Sequence, residues 1–294
     1  MRYAVRLAFL PRREKGEAPD AGATVSMIPE LFTYMRTPCP KYVRKMGYLR
    51  EAIAIEARRR RCSQHWAGHL ENTKSAVCRA IQLCGKKRKV VVLGSGPLLD
   101  LPVEVLAAAF EEVVLVDIVH LLSATRTVRR YGNVRLVSAD ITGIARKLFH
   151  AAQTGESDLP EPAALFPGRD NKTDLVISLN ILSQLPVIPK EYALKKLPWI
   201  NEAVLEAWGQ RIMANHYDSL RGLPCSVCLI TDYAVIVRDE KGGAGEQSPT
   251  LGDIRLPWTG ESWTWDITPR GEASRLFSEH REVAAVFMNL PAVI

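Results

Sequence analysis

The sequence contains no apolar run of about 18 residues, the length at which a helix crosses a bilayer, so it predicts no transmembrane segment. The apolar patch at residues 7–10 is too short for the core of an export signal, and no small-residue cleavage site follows it. No internal repeat is visible. A globular, cytoplasmic protein is therefore expected.

Cysteine is also scarce, with 6 residues in a chain of 294, too few for a disulfide framework. Cys225 and Cys228 lie three apart in a predicted strand, where their side chains point to opposite faces, so separate thiols are expected. Cys62, His65 and His69 share one face of a predicted helix, which fits either ligands of a metal ion or an apolar stripe. We favour the stripe and predict no metal site.

Positive charge is spread unevenly along the chain, whose formal net charge is +7. Residues 1–89 hold 20 Lys and Arg against 7 Asp and Glu, whereas residues 90–294 hold 19 against 25. This asymmetry predicts an anionic partner for the first third, such as RNA, an acidic protein, a phosphate-bearing substrate or an anionic membrane surface. A solvated basic face without any partner explains the same pattern equally well.

The basic first third is also predicted to be helical. Apolar residues recur at helical spacing over residues 41–61 and again over residues 62–84, whereas residues 11–27 are polar with Pro and Gly and predict a loop. We therefore divide the chain into a basic helical N-terminal cap that shapes the substrate region, residues 1–88, and a core domain, residues 89–294.

From residue 90 onward, short Val-, Leu- and Ile-rich runs alternate with helical stretches. Such continuous apolar runs are typical of strands covered on both faces, as in parallel sheets. The predicted strands are residues 90–93, 112–117, 134–140, 174–180, 226–232, 262–269 and 282–290. A helix is expected over residues 271–280 and a loop over residues 239–260. The pattern predicts an α/β fold with a doubly wound, mostly parallel, seven-stranded sheet.

A glycine-containing loop, Gly94, Ser95, Gly96 and Pro97, directly follows the first predicted strand. Glycine permits a tight turn from a strand into a helix and lets the backbone approach a ligand closely. Asp117 lies 21 residues beyond Gly96, at the end of the second strand, where a carboxylate can accept hydrogen bonds from both hydroxyls of a ribose. Together they predict a nucleotide site at the carboxyl edge of the sheet.

Asp140 ends the third strand, in a position from which it can meet the amino group of an adenine. The order of these features resembles the class I S-adenosylmethionine (SAM)-dependent methyltransferases over about residues 88–294, through the segments VVVLGSGP, VLVD, VSAD and DLVISLNILSQLP. The resemblance implies that the glycine loop lies beside the methionine part of SAM and that Asp117 binds the ribose. It also implies that the last strands form an antiparallel hairpin.

Two sets of binding residues follow from this resemblance. Those assigned to the cofactor are Gly94, Ser95, Gly96, Pro97, Asp117, Ile118, Asp140, Ile141 and Asn180. Those assigned to the substrate are Gln184, Asp232 and Tyr233. No catalytic residue is assigned, because methyl transfer is an in-line displacement that depends on positioning and needs a base only for a protonated nucleophile.

Two positions depart from the pattern of the family. Val92 stands where the family usually has an acidic residue, so either another residue meets the amino group of the cofactor or binding is weaker. Leu98 replaces the third glycine of the family. NAD-binding Rossmann domains also need a third glycine, and Leu99 occupies that position here. This absence, together with the acidic end of the third strand, favours SAM over NAD.

The resemblance implies a SAM-dependent methyltransferase, and we favour a small molecule or a peptide-derived metabolite as its substrate. Residues 180–183 lack the Asn/Asp-Pro-Pro-aromatic tetrad of enzymes that methylate exocyclic base amines or glutamine amides. Three alternatives stay open. They are an RNA methyltransferase that uses the basic cap, a non-catalytic SAM-binding subunit, and an enzyme that transfers the aminobutyryl group of SAM, since GSGPLLDLP also resembles nicotianamine synthases.

Two histidines can be interpreted either as functional or as structural residues. His216 and Asp218 form either a base with its orienting partner or surface residues late in a helix. His120 follows Asp117 closely and lies either near the adenine or in solvent.

Overall fold

The computed structural model describes residues 28–156, 158–239, 245, 247–257, 260–272, 274 and 276–290. The predicted loop at residues 11–27 lies outside these ranges. No helix within them is both long and apolar enough to cross a membrane.

Within the described ranges, four helices precede the sheet: α1 (Ile28–Arg36), α2 (Lys41–Met46), α3 (Tyr48–Arg61) and α4 (Ser63–Leu83). The single helix predicted over residues 41–61 is therefore two helices. They are separated by Gly47, which has a left-handed backbone with φ of 107° and whose N–H donates to the Val43 carbonyl. This conformation ends a helix readily at glycine, because glycine has no Cβ to clash. The apolar residues keep one helical spacing across the break, which is why the sequence did not reveal it.

The strands of the sheet are β1 (Lys89–Leu93), β2 (Glu112–Asp117), β3 (Val134–Ser138), β4 (Thr173–Leu179), β5 (Ser226–Arg238), β6 (Gln247–Pro249), β7 (Glu261–Thr268) and β8 (Ser278–Met288). Their order is β3-β2-β1-β4-β5-β8-β7, and the short β6 pairs with β5. The first five strands run parallel, whereas β8 is antiparallel to β5 and β7 is antiparallel to β8. The predicted doubly wound, mostly parallel sheet of seven strands and its hairpin are confirmed, and β6 is added to them.

Helices cover both faces of this sheet: α5 (Val103–Ala109), α6 (Leu122–Val128), α7 (Ala145–Thr154), α8 (Val187–Lys196) and α9 (Glu202–Arg221). Successive β1 residues alternate between two cores, as the pleat of a strand requires. Val90 and Val92 pack with residues of α4 and α5, whereas Val91 and Leu93 pack with residues of α9. The side chain of Val92 is thus fully buried in the core on the α4 face.

The helix expected over residues 271–280 is wrong. Ser278, Glu279 and His280 belong to β8, where they pair with the last residues of β5. Their main-chain hydrogen bonds come from a strand that lies some forty residues earlier, and this pairing overrides the helical preference of the segment. Helix α8 and strand β6, which lies inside the loop expected at residues 239–260, were not predicted.

Candidate functional site

A cavity lies at the carboxyl ends of β1, β2 and β4, where the chain crosses from one side of the sheet to the other. Such a crossover point is the usual ligand site of an open α/β sheet. Two helices of the N-terminal region form its roof. Side chains three or four positions apart line it from one face of α3 and one face of α4, namely Tyr48, Glu51, Ala52, Ile55, Arg58, Trp66, His69 and Leu70.

The glycine loop forms the floor of the cavity, and Gly94 is required there by its surroundings. Its φ is +79°, and a Cβ on it would lie 2.1 Å from Ile181 Cγ2 and 2.8 Å from the Leu179 carbonyl oxygen. The N–H groups of Gly94 and Ser95 both donate to the Val116 carbonyl, at 2.9 and 3.1 Å. The loop is therefore fixed against the ends of β2 and β4.

Leu98, which replaces the third glycine of the family, keeps a left-handed backbone with φ of 62°. This conformation costs an L-residue roughly 1–2 kcal/mol compared with its right-handed alternative. The loop therefore retains the course that a glycine would allow, although the residue is leucine. The Leu98 side chain packs against the core on the α4 face.

Asp117 lines the cavity at the end of β2, next to Ile118. Its Oδ2 accepts from the N–H of Gly96 and its Oδ1 from the N–H of Ile118, both at 2.7 Å. Burial is the largest influence and raises the pKa of this carboxyl, although the backbone hydrogen bonds act in the opposite direction. The carboxylate thus links the glycine loop to β2, and it has lone pairs left for a ligand.

Asp140 and Ile141 also line the cavity. The Asp140 carboxylate accepts from the N–H and hydroxyl of Thr142, at 2.9 and 2.5 Å, and from the N–H of Ala145 at 2.8 Å. These bonds fix the turn that leads into α7. A role of Asp140 toward an adenine stays a prediction.

Asn180 follows β4 and has a left-handed backbone, with φ of 51°. Its Nδ2 donates to Asp100 Oδ2 at 2.7 Å and lies 3.5 Å from His69 Nε2. Its carbonyl accepts from Gln184 Nε2 at 3.0 Å. Strained residues of this kind are concentrated at functional sites, where the surroundings hold them in place. The predicted residues Asn180 and Gln184 therefore meet at the cavity.

His69 reaches the cavity from α4 and is held by two tryptophans of β7. Trp263 Nε1 donates to His69 Nδ1 at 3.1 Å, and the Trp265 ring stacks on the imidazole with centroids 3.9 Å apart. Burial lowers the pKa of His69 to about 3. Neither His69 nor Asp100 was predicted to belong to this site, because neither directly follows a strand and their contacts come from distant segments.

Asp232 and Tyr233, predicted to contact the substrate, are absent from the cavity lining within the described ranges. Asp232 is buried and pairs with Arg281, whose Nη1 lies 2.7 Å from Asp232 Oδ2, and it also accepts from the Ser183 hydroxyl. The structure therefore gives Asp232 a role in joining β5 to β8.

The histidines outside the cavity have structural partners. His120 lies between the hydroxyls of Ser95 and Ser138, 3.2 Å from each, and is neither exposed nor part of the lining. His216 is buried with its Nε2 3.0 Å from the Ser178 hydroxyl, whereas Asp218 is exposed beside Arg221. A base at His216 oriented by Asp218 is therefore wrong.

The three side chains weighed as metal ligands have separate surroundings. His65 Nδ1 lies 2.6 Å from Asp266 Oδ2 at the surface, Cys62 is buried in the core on the α4 face, and His69 lies in the cavity. In the part of the chain that the structure describes, no group of three side chains is placed to hold a metal.

Part of the basic character of the cap is used within the molecule. Arg61 Nη2 lies 2.6 Å from Glu272 Oε1, and Arg58 Nε lies 3.6 Å from the same oxygen. Arg60 is 3.5 Å from Glu30. These pairs tie α3 to the turn before β8 and to α1, so this cluster of cations has intramolecular partners.

No family model matches the chain, and no curated protein matches it by sequence. Solved structures do show similarity. The N-methyltransferase NodS from Bradyrhizobium japonicum is 12% identical over 72% of this chain and 85% of its own, with a TM-score of 0.31. The Burkholderia thailandensis 1,6-didemethyltoxoflavin-N1-methyltransferase is 13% identical over 81% and 90%, with a TM-score of 0.31. A DhpI complex with SAM is 13% identical over 83% and 99%, with a TM-score of 0.32.

Values this low say nothing about substrate or reaction. The fold is defined by this chain's own structure. Its sheet has parallel strands and an antiparallel hairpin, and carboxylates follow β2 and β3. The chain has a doubly wound, Rossmann-like α/β fold with an antiparallel hairpin at one edge of its sheet.

Proposed function

We propose that this protein is a SAM-dependent methyltransferase that acts on a small molecule or a peptide-derived metabolite. One observation carries the proposal: the glycine loop, Asp117 and Asp140 meet in a single cavity that α3 and α4 cover from above. A nucleoside cofactor fits the sheet side of this cavity, and an acceptor molecule fits the side formed by the two helices. We also propose that residues 1–88, the cap, shape the substrate region and that residues 89–294, the core, bind SAM.

The residues present fit SAM at its nucleoside end. Asp117 lines the cavity, and its carboxylate has lone pairs for ribose hydroxyls in addition to those that accept from the N–H groups of Gly96 and Ile118. Gly94 sets the course of the loop at the floor of the cavity, because Ile181 and the Leu179 carbonyl occupy the position that a Cβ would take. Ile118 and Ile141, which also line the cavity, offer apolar surface for a purine ring.

SAM, when bound, supplies an activated methyl group on a sulfonium. The chain supplies positioning, since an in-line displacement is accelerated chiefly by holding the reacting atoms close and aligned. The roof contributes Ile55, Leu70 and Trp66 as apolar wall. These side chains exclude water from the space above the strand ends.

Glu51 is the polar group of the roof that fits acid–base chemistry. It lines the cavity, and its buried Oε1 has no hydrogen-bond partner among the described residues. Burial raises the pKa of Glu51 to about 7, against the opposing charge of Arg58. A base with this pKa matches an acceptor that must lose a proton near neutral pH.

The proposal is tested with methyl-labelled SAM and two substrate fractions, a metabolite extract below 1 kDa and total RNA. We expect label to enter a small molecule with formation of S-adenosylhomocysteine, and an Asp117→Ala variant to reduce this labelling at subsaturating SAM. Methylthioadenosine as the by-product would instead indicate aminobutyryl transfer, and label in RNA would favour an RNA substrate. If neither SAM nor S-adenosylhomocysteine binds, the proposal is wrong.

A further inference from the structure

Asp100 places a carboxylate in the cavity that lacks a cationic partner. It accepts from Asn180 Nδ2 at 2.7 Å, but no Lys or Arg nitrogen of the described residues lies within 4.0 Å of it. Burial raises the pKa of Asp100, and only the hydrogen bonds and the more distant charge of Lys74 oppose it. An ionised carboxylate in such surroundings is stabilised by any cation that a ligand brings.

His69 presents a hydrogen-bond donor beside this carboxylate. The indole N–H of Trp263 can only donate, so His69 Nδ1 accepts, and the neutral ring carries its proton on Nε2. That Nε2 faces Asn180 Nδ2 at 3.5 Å, and Asn180 Nδ2 is itself a donor because its partner Asp100 is an acceptor. A single acceptor oxygen that lies beside both nitrogens can therefore accept from these two donors.

A carboxylate next to two N–H donors is complementary to an α-amino acid zwitterion, which carries an ammonium and a carboxylate on one carbon. SAM has such a group at its methionine end. The usual acidic residue of the family cannot serve, because its position is occupied by Val92, whose side chain is buried in the core away from the cavity. Asp117 stands at the end of β2 and is suited to the ribose.

We propose that Asp100 pairs with the α-ammonium of SAM and that His69 Nε2, together with Asn180 Nδ2, donates to its α-carboxylate. This inference rests on the proposed function. It assigns the methionine end to the junction of the glycine loop, β4 and α4, and it makes α4 a part of the cofactor site.

The test compares two ligands by calorimetry on the full chain: S-adenosylhomocysteine, which has the amino-acid group, and methylthioadenosine, which lacks it. Asp100→Asn keeps an oxygen that accepts from Asn180 but loses the charge. We expect it to weaken S-adenosylhomocysteine binding about 10- to 100-fold and to change methylthioadenosine binding less than about twofold. Glu104→Gln, the same chemical change at an exposed position of α5, should alter neither affinity.

A second variant tests the histidine. His69→Phe keeps a ring to stack on Trp265 but has no N–H, so it should weaken S-adenosylhomocysteine about fivefold or more and leave methylthioadenosine unchanged. The wild-type protein provides a test that does not depend on folding of a variant. An S-adenosylhomocysteine analogue without the α-amino group should bind it about 10-fold or more weakly than the parent.

The outcomes separate the two proposals. Equal losses for both ligands in Asp100→Asn, or no loss of S-adenosylhomocysteine affinity, would overturn the assignment of Asp100 while the cofactor remained SAM. Equal binding of the deaminated analogue would do the same. Failure of the wild-type protein to bind either ligand would instead overturn the proposed function.

Discussion

Trp263 and His69 are joined by a hydrogen bond of 3.1 Å between the indole N–H and the imidazole Nδ1, although 194 residues separate them in the chain. The bond connects the edge hairpin to the roof of the cavity. It also fixes which nitrogen of a neutral His69 carries the proton, because indole can donate but cannot accept.

Loss of this donor should destabilise the protein. Trp263→Phe leaves a buried His69 nitrogen without its partner, which typically costs about 1–3 kcal/mol in the free energy of unfolding. Urea unfolding measures the change. Trp199→Phe is the matched control, because that tryptophan is 55% exposed, and its replacement should cost less than about 0.5 kcal/mol. Equal effects of the two substitutions would show that the bond contributes nothing.

Two glycine-to-alanine substitutions should change stability in opposite directions. Gly94→Ala forces a Cβ against Ile181 and the Leu179 carbonyl at a positive φ, so we expect a loss of about 3 kcal/mol or more. Gly68 lies in α4 with nothing within 4 Å of its Cβ position, and Gly68→Ala should stabilise by about 0.5–1 kcal/mol. Thermal unfolding of both variants measures these opposite changes in stability. A Gly94→Ala variant as stable as the wild type would contradict the prediction.

Asp117→Ala should weaken both ligands that contain the nucleoside. The lost hydrogen bonds to ribose correspond to about 1–3 kcal/mol, so affinities for S-adenosylhomocysteine and methylthioadenosine should fall together. This pattern differs from that expected of Asp100→Asn. Asp218→Ala, at an exposed carboxylate of α9, serves as the control in the same titrations. Unchanged affinity in Asp117→Ala would show that the ribose does not bind at the end of β2.

Asp232→Ala should affect folding and leave cofactor binding intact. The substitution leaves Arg281, whose side chain is 4% exposed, with Glu279 as its remaining carboxylate partner. Breaking a buried ion pair on one side typically costs about 3–5 kcal/mol. Chemical unfolding and calorimetry on the same preparation measure both quantities. A loss of cofactor affinity without a loss of stability would show that Asp232 takes part in ligand binding.

Stability should decline steeply in mild acid because three histidines are buried in neutral form. Burial lowers the pKa of His69 to about 3 and those of His120 and His216 to about 4. The unfolded chain takes up protons below about pH 6.5, whereas the folded chain does not until about pH 4. The stability that these groups provide is therefore complete above pH 6.5 and is lost as the pH falls toward 4.

The slope of this loss can be measured by urea unfolding at a series of pH values. Each histidine contributes up to about 1.4 kcal/mol per pH unit near pH 5. His216→Gln should therefore reduce the slope by about that amount, whereas His150→Gln, at a side chain that is 69% exposed, should leave it unchanged. Identical slopes in the wild type and both variants would contradict the burial of a neutral His216.

The sequence predicted the sheet well because its strands are continuous apolar runs, and it located Asp117 and Asp140 because each directly ends such a run. It could not show that Val92 faces the core and not the cavity, since that depends on the pleat of β1 against α4. Asp232 was also predicted to end a strand, but its partner Arg281 comes from β8. No residue near Asp232 in the sequence indicates that pairing. Asp100 and His69 were missed for the same reason, because only tertiary packing brings them together.

The contact between Trp263 and His69 determines when, during synthesis of the chain, the roof of the cavity can be completed. Ribosomes synthesise α4 and the glycine loop long before the hairpin that holds His69 in place, so a nascent chain that ends before β7 has strand ends but an unsupported roof. Cofactor binding should therefore begin late in synthesis, after the edge hairpin has emerged. We therefore expect a chain that ends before β7 to bind S-adenosylhomocysteine more weakly than the full chain does.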